Sequence, residues 1–376
     1  MHPHRHHRWL STTGHAPDTN AYVTPHRDGD KVRARPTRGR FEVDYQRVKA
    51  SEQLARLASV KQAFLFPPVG GGVSTRLSHS RSVAAIAAAI ATAAGLNDEL
   101  ARTGGLAHDC GHAPGGHAGE DALSIYVPSG FDHAPHGANV TLAGLGLSDE
   151  VLDAVRNHSW SRPSPATPEG QVVGAADRIA YATDDLTDAA RLGLVNDLGA
   201  LVGPEVVRLL GPDPASWRLA LIEDVVVTIR THGVVGFSPV AVEALTALRH
   251  ACNAVIYSRP ASVLENAAMV HAIRYVVDHE VAAGRAPVEA VHWAAGLTDR
   301  QLIDQAIGRG LDPWLAPLTT AESTGPGATH PVPALDPHTS PEGAAALCAA
   351  LRQRGPQPPC PLTGLLGPGG AIAGGE

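Results

Sequence analysis

The sequence is poor in lysine, in aromatic residues and in paired cysteines, and each shortage argues against a class of protein. Its 376 residues include only three lysines, Lys31, Lys49 and Lys61, and aromatic residues make up 4% of the chain. Without a basic stripe interleaved with aromatics, nucleic acid is not expected as the main partner, whereas a nucleotide is compatible with this composition. The four cysteines lie far apart with no CxxC pair, which argues against a zinc ribbon or a disulfide framework.

Long apolar segments are also missing. The start, MHPHRHHRWL, has no apolar stretch of signal-peptide length, and the longest apolar runs elsewhere are Ala-rich and too short to span a bilayer. The dispersed cysteines fit a reducing compartment. We therefore expect a cytoplasmic protein without a membrane partner.

Helix signals, by contrast, are dense. Residues 78–95 are Ala-rich with apolar positions near helical spacing, and Gly95 stands where a glycine follows a helix end. Asn97 can cap the next helix, and a Thr-Pro pair precedes a long helix predicted over residues 169–194. No alternating apolar/polar segment of convincing length indicates a strand. The sequence therefore predicts an all-α fold, with further helices within residues 215–232, 239–257 and 261–283.

The two ends of the chain have a different composition. Residues 1–40 mix His, Arg, Pro and Thr without periodicity, and from about Thr319 onward Pro, Gly, Ser and Thr dominate. Segments of this kind do not bury enough apolar surface to form a packed core. We expect disordered tails at residues 1–40 and 319–376.

One short segment, residues 108–120, concentrates titratable side chains. In HDCGHAPGGHAGE, three histidines and two carboxylates surround glycines that allow the backbone to approach a ligand. A lone His-Asp pair arises often by chance, but a bland loop seldom carries so many titratable groups. With His79 before it and Asp177 after it, these nitrogen and oxygen donors suit Mn, Mg, Fe, Co, Ni or Zn with positions open to water. Such a divalent metal ion indicates hydrolysis by a metal-activated water.

Four motifs, in order along the chain, resemble one known family. They are TRLSHSRSVAAIAAAIATAAGL, HDCGHAPGGHAGEDAL, EGQVVGAADRIAYATDDLTDAARLGL and AGLTDRQL. Over roughly residues 41–311 they resemble the deoxynucleoside triphosphate triphosphohydrolases of the HD superfamily, often called dGTPase-like proteins. The resemblance implies an HD-domain helical bundle, with a metal-dependent phosphohydrolase core at residues 41–235 and an associated C-terminal helical region at 236–318. It also implies a homo-oligomer.

The same resemblance implies three groups of site residues. The metal ligands would be His79, His108, Asp109 and Asp177. The catalytic residues would be His112, His117, Glu120 and His133. The substrate contacts would be Gln62, Arg76, Arg178, Tyr181 and Asp185. Within these groups, Glu120 is predicted to orient His117 from one helical turn away. For Arg178, a bidentate phosphate clamp and a solvent-exposed position both remain open.

The implied reaction is attack of water at the α-phosphorus of dGTP or another dNTP, which releases deoxynucleoside and intact triphosphate. Residues 51–64 match the family's arginine-rich segment only in part, so fewer cations are available for a triphosphate. This keeps open an HD phosphohydrolase that acts on another nucleotide or phosphoester. A non-catalytic nucleotide-binding protein is a third alternative, although pure binding does not need the predicted acid/base residues.

Overall fold

The computed structural model describes residues 39–65 and 72–311, and the all-α prediction is confirmed within them. Of the predicted tails, residues 1–38 and 319–376 lie outside the described residues. The described helices are α1 Arg40–Lys49, α2 Glu52–Arg56, α3 Arg76–Ala94, α4 Asp98–Ala107, α5 His117–Ser124, α6 His133–His136, α7 Asp149–Asn157, α8 Pro168–Arg191, α9 Leu198–Val202, α10 Pro204–Leu210, α11 Pro214–His232, α12 Pro239–Cys252, α13 Pro260–Ala282, α14 Pro287–Ala295 and α15 Asp299–Gly308. None of these helices is long and apolar enough to cross a membrane.

The helix boundaries around the predicted site follow from local capping. α3 begins after Thr75, whose hydroxyl accepts from the backbone N–H of Ser78 while the Ser78 hydroxyl accepts from the N–H of Thr75. It ends before Gly95, which adopts a left-handed φ of 78°. α4 begins after Asn97, whose side chain accepts a backbone N–H of the first turn at 3.0 Å. The helix end predicted at Gly95 and the cap predicted at Asn97 are therefore present, whereas the capping box at Thr75 was not predicted.

α8 ends at Arg191, earlier than the helix predicted over residues 169–194. Gly193 takes a φ of 70°, and the N–H of Leu194 donates to the C=O of Ala189 at 2.9 Å. A left-handed residue of this kind satisfies the last carbonyls of a helix and turns the chain away. The apolar periodicity continues past the turn, which is why it predicts a longer helix.

α3 is the centre of the N-terminal half. It packs against α4 and α8, and α8 also contacts α11 and α12. Buried apolar side chains fill the space between them, among them Ile90, Val173, Ile179 and Trp217. Full burial stabilises the fold by about 1.5–3 kcal/mol for each large aliphatic side chain. This core fixes the relative positions of the three helices that carry the predicted metal ligands.

α3 and α4 approach each other closely because small residues face one another. A Cβ on Gly105 of α4 would lie 2.9 Å from the Cα of Ala84 on α3, closer than side-chain atoms normally come. The contact brings the end of α4, where His108 and Asp109 stand, to the first turns of α3, where His79 stands. Glycine in α4 thus has a packing function that offsets its unfavourable helix propensity.

The C-terminal helices pack on α5. α13 contacts α5, α14 and α15, and a second group of buried side chains, including Leu123, Met269, Ile273 and Val291, lies between them. The helical region after residue 235 therefore touches the segment that carries the predicted catalytic histidines. The boundary between residues 235 and 236 stays a prediction.

Candidate metal centre and active site

The four predicted metal ligands meet where α3, the end of α4 and α8 come together. The Nε2 of His79 lies 2.9 Å from Oδ1 of Asp177 and 3.8 Å from Oδ2 of Asp109. The Nε2 of His108 lies 3.7 Å from Oδ1 of Asp177 and 3.3 Å from Oδ1 of Asp109. Donor atoms bound to one cation at about 2.1 Å are separated from each other by about 3.0–3.4 Å. These four side chains, which we call the cage, therefore suit a shared ion.

The donor chemistry of the cage fits a divalent cation. The Nδ1–H of His108 donates to the C=O of Gly105 at 2.8 Å, so in the neutral ring Nε2 carries the lone pair and faces the carboxylates. That Nε2 is buried and has no hydrogen-bond partner among residues 39–65 and 72–311. A buried acceptor held beside two carboxylates is typical of a metal ligand whose other ring nitrogen is fixed by the backbone.

The charges in the cage also favour a cation. Burial would raise the pKa of the Asp109 and Asp177 carboxyls, but His108 and the other donors around them outweigh it and hold both pKa values well below the usual range. Burial likewise opposes a charge on His108, yet the two carboxylates raise its pKa to about 9. A metal ion that binds these ligands displaces the proton.

The two histidines that follow Asp109, His112 and His117, differ in their exposure to solvent. His112 is buried, with its Nε2 3.2 Å from Oδ1 of Asp109 and its ring stacked on His133 at a centroid separation of 3.7 Å. Burial, followed by the charge of Arg76, holds the pKa of His112 well below its ordinary value, so the ring is neutral. His117 begins α5 and is exposed, with its ring edge-on to His112 at 5.1 Å. Of the two, His117 is open to a ligand that enters from solvent.

Glu120 has a different partner from the predicted one. Its Oε1 accepts a hydrogen bond from the backbone N–H of His133 at 2.7 Å and another from the Nδ1–H of the same residue. Burial opposes a charge on His133, but this carboxylate raises the pKa of His133 overall. The i,i+3 spacing does place Glu120 near His117 on α5. The donors that Glu120 binds, however, belong to His133 at the start of α6. Glu120 is therefore the orienting group of His133.

Gly111 lies in the loop between α4 and α5 and explains how α6 comes so close to this loop. A Cβ at this position would lie 2.1 Å from the C=O of His133 and 2.4 Å from the N of Gly137. Only a residue without a side chain allows this approach. As a result, the Nε2 of His133 lies 3.7 Å from Oδ1 of Asp109.

His158, at the end of α7, is a site residue that sequence reasoning missed. It is buried, its Nε2 lies 3.1 Å from the Nε2 of His133, and its ring stands edge-on to His108 at 4.9 Å. Its Nδ1–H donates to the C=O of Val155 at 2.7 Å. A histidine at a helix C-terminus is usually a favourable end residue for the helix dipole, so the sequence carried no separate signal for this role.

Two of the predicted substrate contacts flank the start of α3. Arg76 is buried, and its Nη1 donates to Oδ2 of Asp109 at 2.8 Å, so its guanidinium faces the cage. Gln62 lies next to an antiparallel bridge between Lys61 and Thr75. Its amide oxygen is buried and has no hydrogen-bond partner in the described part of the chain. Gln62 thus offers an acceptor that none of the described residues uses.

Arg178 does not point to solvent, so the solvent-exposed alternative is wrong. The side chain is buried, and its guanidinium carbon lies 3.4 Å from the ring centroid of Trp160, which follows α7. Burial lowers the pKa of Arg178 to about 9. Stacking on an indole stabilises a guanidinium that has left water.

Tyr181 and Asp185 share one face of α8 with Asp177, because residues four and eight positions apart point the same way. Tyr181 is half-buried and packs against the apolar core between α3, α8 and α11. Asp185 is buried and accepts a hydrogen bond from the hydroxyl of Tyr257 through Oδ2, whereas its Oδ1 has no partner among the described residues. The face therefore carries one unused carboxylate oxygen.

Replacing Asp185 by asparagine is expected to remove a pH dependence of stability. Burial raises the pKa of Asp185 from 3.8 to about 6. Between these values the unfolded chain loses its proton before the folded chain does, so the free energy of unfolding falls as pH rises, by about 3 kcal/mol in total. Urea unfolding of both proteins from pH 4 to pH 7 gives the difference between their free energies of unfolding. The titration of the cage residues is common to both proteins, so it cancels in this difference. A difference that stays constant over this range would contradict the assignment.

Two residues outside the predicted set hold the loop between α4 and α5 in place. Asp299, in the AGLTDR motif, is buried and accepts the N–H of Gly115 at 2.7 Å and the N–H of Lys61 at 2.8 Å. Arg56 donates to the C=O of His112 at 2.6 Å and to two other backbone carbonyls. The AGLTDR motif indicated that the segment around Asp299 contributes to the site. The hydrogen bond from Gly115 shows that this segment anchors the loop.

Comparisons with known proteins agree with the resemblance. Residues 76–182 match the family model of the HD domain. A deoxyguanosinetriphosphate triphosphohydrolase-like protein from Caldanaerobacter subterraneus subsp. tengcongensis is 36% identical over 197 residues, which are 50% of this chain and 56% of the relative. A protein of the same name from Desulfatibacillum aliphaticivorans is 37% identical over 206 residues, 51% of this chain and 58% of the relative. A solved structure of a hypothetical protein from Aquifex aeolicus has 17% identity and a TM-score of 0.48, covering 74% of this chain and 71% of that chain.

The match to the HD-domain model and the two curated relatives confirm the predicted resemblance to HD-superfamily dGTPase-like proteins. All four cage residues lie within the range that matches the HD domain. The chain spans a little over half the length of the curated relatives it matches.

Proposed function

We propose that this chain, which contains an HD domain at residues 76–182, is a metal-dependent phosphohydrolase that converts a deoxynucleoside triphosphate to deoxynucleoside and triphosphate. The observation that carries the proposal is the cage beside the exposed His117, because a cation site and an accessible acid/base group are what phosphoester hydrolysis needs. The names of the relatives favour a dNTP as substrate.

The cage residues His79, His108, Asp109 and Asp177 would hold a divalent ion from the set Mn, Mg, Fe, Co, Ni and Zn. When bound, such an ion neutralises charge on phosphate oxygens and lowers the pKa of an attacking water. The protein contributes fixed positions for the ligands, since each one stands on a packed helix or at its end.

His117 is proposed as the general acid. Attack of a water oxygen at the α-phosphorus forms one P–O bond and breaks the bond to the 5′-oxygen of the deoxynucleoside. The 5′-oxygen then needs a proton. The exposed imidazole of His117 can deliver it once the negative phosphates of a bound substrate raise its pKa, which desolvation by the surrounding groups and the charge of Arg76 otherwise lower to about 4. The buried and neutral His112 would shape the wall of the site beside Asp109.

The proposed sugar contacts are the unused acceptors near the cage. The amide oxygen of Gln62 and Oδ1 of Asp185 are both buried without a hydrogen-bond partner in the described residues. A sugar hydroxyl can donate to such oxygens, and Tyr181 on the same helix face can pack against the ring. The guanidinium of Arg76 already binds Asp109 of the cage, so Arg76 would influence phosphate binding indirectly, through that residue.

Product identification tests the proposed reaction. Purified protein loaded with Mn²⁺ is incubated with each dNTP, and the products are separated by anion-exchange chromatography. Deoxynucleoside and triphosphate in equal amounts are expected from at least one dNTP. Deoxynucleoside monophosphate with pyrophosphate, or no turnover of any dNTP, would refute it. Sizing chromatography of the same sample tests the predicted homo-oligomer.

His117→Ala is expected to lower the turnover number by about 10²–10⁴-fold, the usual contribution of general acid catalysis. Metal content should not change, because His117 is not part of the cage. The matched control is His250→Ala, which removes an exposed histidine from α12 and should keep full activity. Turnover of the His117 variant at the control rate would show that another group supplies the proton.

A second substrate class is favoured by how the cations near the site are used. Arg56 is bonded to backbone carbonyls, Lys61 to Asn266, Arg76 to Asp109, and Arg178 is stacked on Trp160. Each of these four cations already has a partner, which makes it less available to a β- and a γ-phosphate. The alternative function is therefore hydrolysis of a less highly charged nucleotide or phosphoester. A panel of nucleoside monophosphates and other phosphoesters, assayed beside the dNTPs, discriminates between the two.

A further inference from the structure

One buried carboxylate holds two segments that lie far apart along the chain. Asp299 is the first residue of α15 and is only 9% exposed. Its Oδ1 accepts the backbone N–H of Gly115 at 2.7 Å, and its Oδ2 accepts that of Lys61 at 2.8 Å. A carboxylate offers an acceptor oxygen to each donor, whereas a neutral side-chain amide has only one acceptor oxygen. Both segments are therefore attached to the same side chain.

Each attached residue lies within two positions of a residue of the proposed reaction. Gly115 is two positions before His117, the proposed general acid, and Lys61 is the neighbour of Gln62, a proposed sugar contact. The amide oxygen of Gln62 is buried and has no hydrogen-bond partner among residues 39–65 and 72–311. Asp299 thus reaches both sides of the proposed pocket through the backbone.

The turn formed by Gly115 and Gly116 is packed between the C-terminal helices and the cage. Both glycines are left-handed, with φ of 76° and 62°. A Cβ on Gly115 would lie 3.3 Å from the Cβ of Met269 on α13. A Cβ on Gly116 would lie 2.9 Å from Nη2 of Arg76. Because His117 begins α5 directly after this turn, a movement at Gly115 displaces its imidazole as well.

The segment around Lys61 is tied to two helices. Lys61 pairs with Thr75 in an antiparallel bridge, and the backbone N–H of Arg76 donates to the C=O of Val60 at 3.0 Å. These contacts join the segment to the start of α3, which carries a cage residue. The hydrogen bond to Asp299 joins the same segment to α15. The position of Gln62 therefore depends on both helices.

We propose that Asp299 is a positioning residue, which sets the position of the general acid His117 relative to the sugar contact Gln62 by binding the backbone beside each of them. The inference rests on the proposed function, since that function gives His117 and Gln62 their roles. In this arrangement the C-terminal helices are part of the active site, although the cage stands on α3, α8 and the end of α4.

Stabilisation of α15 alone is the competing role for Asp299. An aspartate in the first turn of a helix interacts favourably with the helix dipole. However, α15 has a complete capping box, in which the hydroxyl of Thr298 accepts the N–H of Gln301 at 3.2 Å and the Gln301 side chain accepts the N–H of Thr298 at 2.9 Å. The helix start is therefore capped by other side chains, and both oxygens of Asp299 bind other segments.

A kinetic cycle separates positioning from a loss of stability. Asp299→Asn keeps the size of the side chain but can accept only one of the two N–H groups. With the dNTP that the product assay favours, we expect kcat/KM to fall by about 10²-fold, through both kcat and KM. The effect on kcat should vanish in the His117→Ala background, and the effect on KM should vanish in the Gln62→Ala background. A residue that only stabilises the fold would act equally in every background.

The matched control is Asp304→Asn. Asp304 lies on the same helix, is exposed and pairs with Arg300, so both kinetic constants should stay at their wild-type values. An undiminished effect of Asp299→Asn on kcat in the His117→Ala background would overturn the proposal. If Asp299→Asn does not fold, Asp299→Glu takes its place, because its longer side chain displaces both segments while keeping the charge.

Hydrogen–deuterium exchange of the full chain, followed by mass spectrometry, tests the two attachments without turnover. In Asp299→Ala, residues 58–65 and 110–117 should both exchange faster, while α8 keeps its wild-type rate. Wild-type exchange in either segment would overturn the proposal, even if a dNTP is hydrolysed. Faster exchange in both segments, with no dNTP turnover by the wild type, would keep both attachments and refute the proposed reaction.

Discussion

Asp177→Asn is expected to lower phosphoester hydrolysis by about 10³-fold or more while the fold stays intact. Loss of groups that only orient metal ligands already costs about 10–100-fold, so removing the charge of a ligand itself should cost more. The side chain is 23% exposed, and an amide has nearly the size and shape of the carboxylate that lies 2.9 Å from His79 in the wild type. The variant thus removes one negative charge from the cage with little change of shape.

Steady-state hydrolysis and metal content, measured on the same preparation, check this expectation. Both should fall together, because the anionic donor is lost from the cage. Asp304→Asn is the control, since Asp304 lies on the exposed side of α15 and pairs only with Arg300 among the contacts described for it. Full activity and full metal content in Asp177→Asn would show that the cage is misassigned.

The sequence predicts that the four side chains of the cage meet, because they belong to compact motifs on strong helices. His108 and Asp109 follow a capped helix, and His79 and Asp177 stand inside long helices with clear periodicity. Once those helices pack side by side, their facing positions must meet. Local signals and tertiary structure therefore agree for these residues.

The pairing of Glu120 could not be predicted in the same way. Spacing within α5 relates Glu120 to His117, but the observed partner, His133, comes from a short helix that begins thirteen residues later. How closely that helix approaches depends on Gly111, where no Cβ fits. Helical periodicity describes neighbours on one helix and gives no information about the approach of another.

His158 and Arg178 show a second limit of sequence reasoning. His158 has the appearance of a residue that ends α7, and only the packing of α7 against α6 and α8 turns its ring toward His133. From the sequence, the side chain of Arg178 could face either phosphate or water. The structure shows instead that it stacks on the ring of Trp160. In both cases the decisive contact comes from a segment whose position is set by tertiary packing.

Arg76→Met is expected to destabilise the metal-free protein by about 3–5 kcal/mol, the usual cost of removing one partner from a buried ion pair. The Arg76 and Asp109 side chains are only 5% and 3% exposed, and their charged atoms are 2.8 Å apart. Methionine fills similar space without a charge, so Asp109 is left buried beside Asp177 with less positive charge nearby. Urea unfolding in the presence of chelator measures the loss.

Metal should reverse much of this loss, and that reversal separates the effect of charge from an effect of packing. A divalent ion in the cage supplies the missing positive charge, so Mn²⁺ should stabilise Arg76→Met more than it stabilises the wild type. Arg300→Met, which breaks the exposed pair with Asp304, is the control and should cost less than about 1 kcal/mol with or without Mn²⁺. Equal stabilisation of Arg76→Met and wild type by Mn²⁺ would mean that the guanidinium stabilises the fold through packing and not through the charge of Asp109.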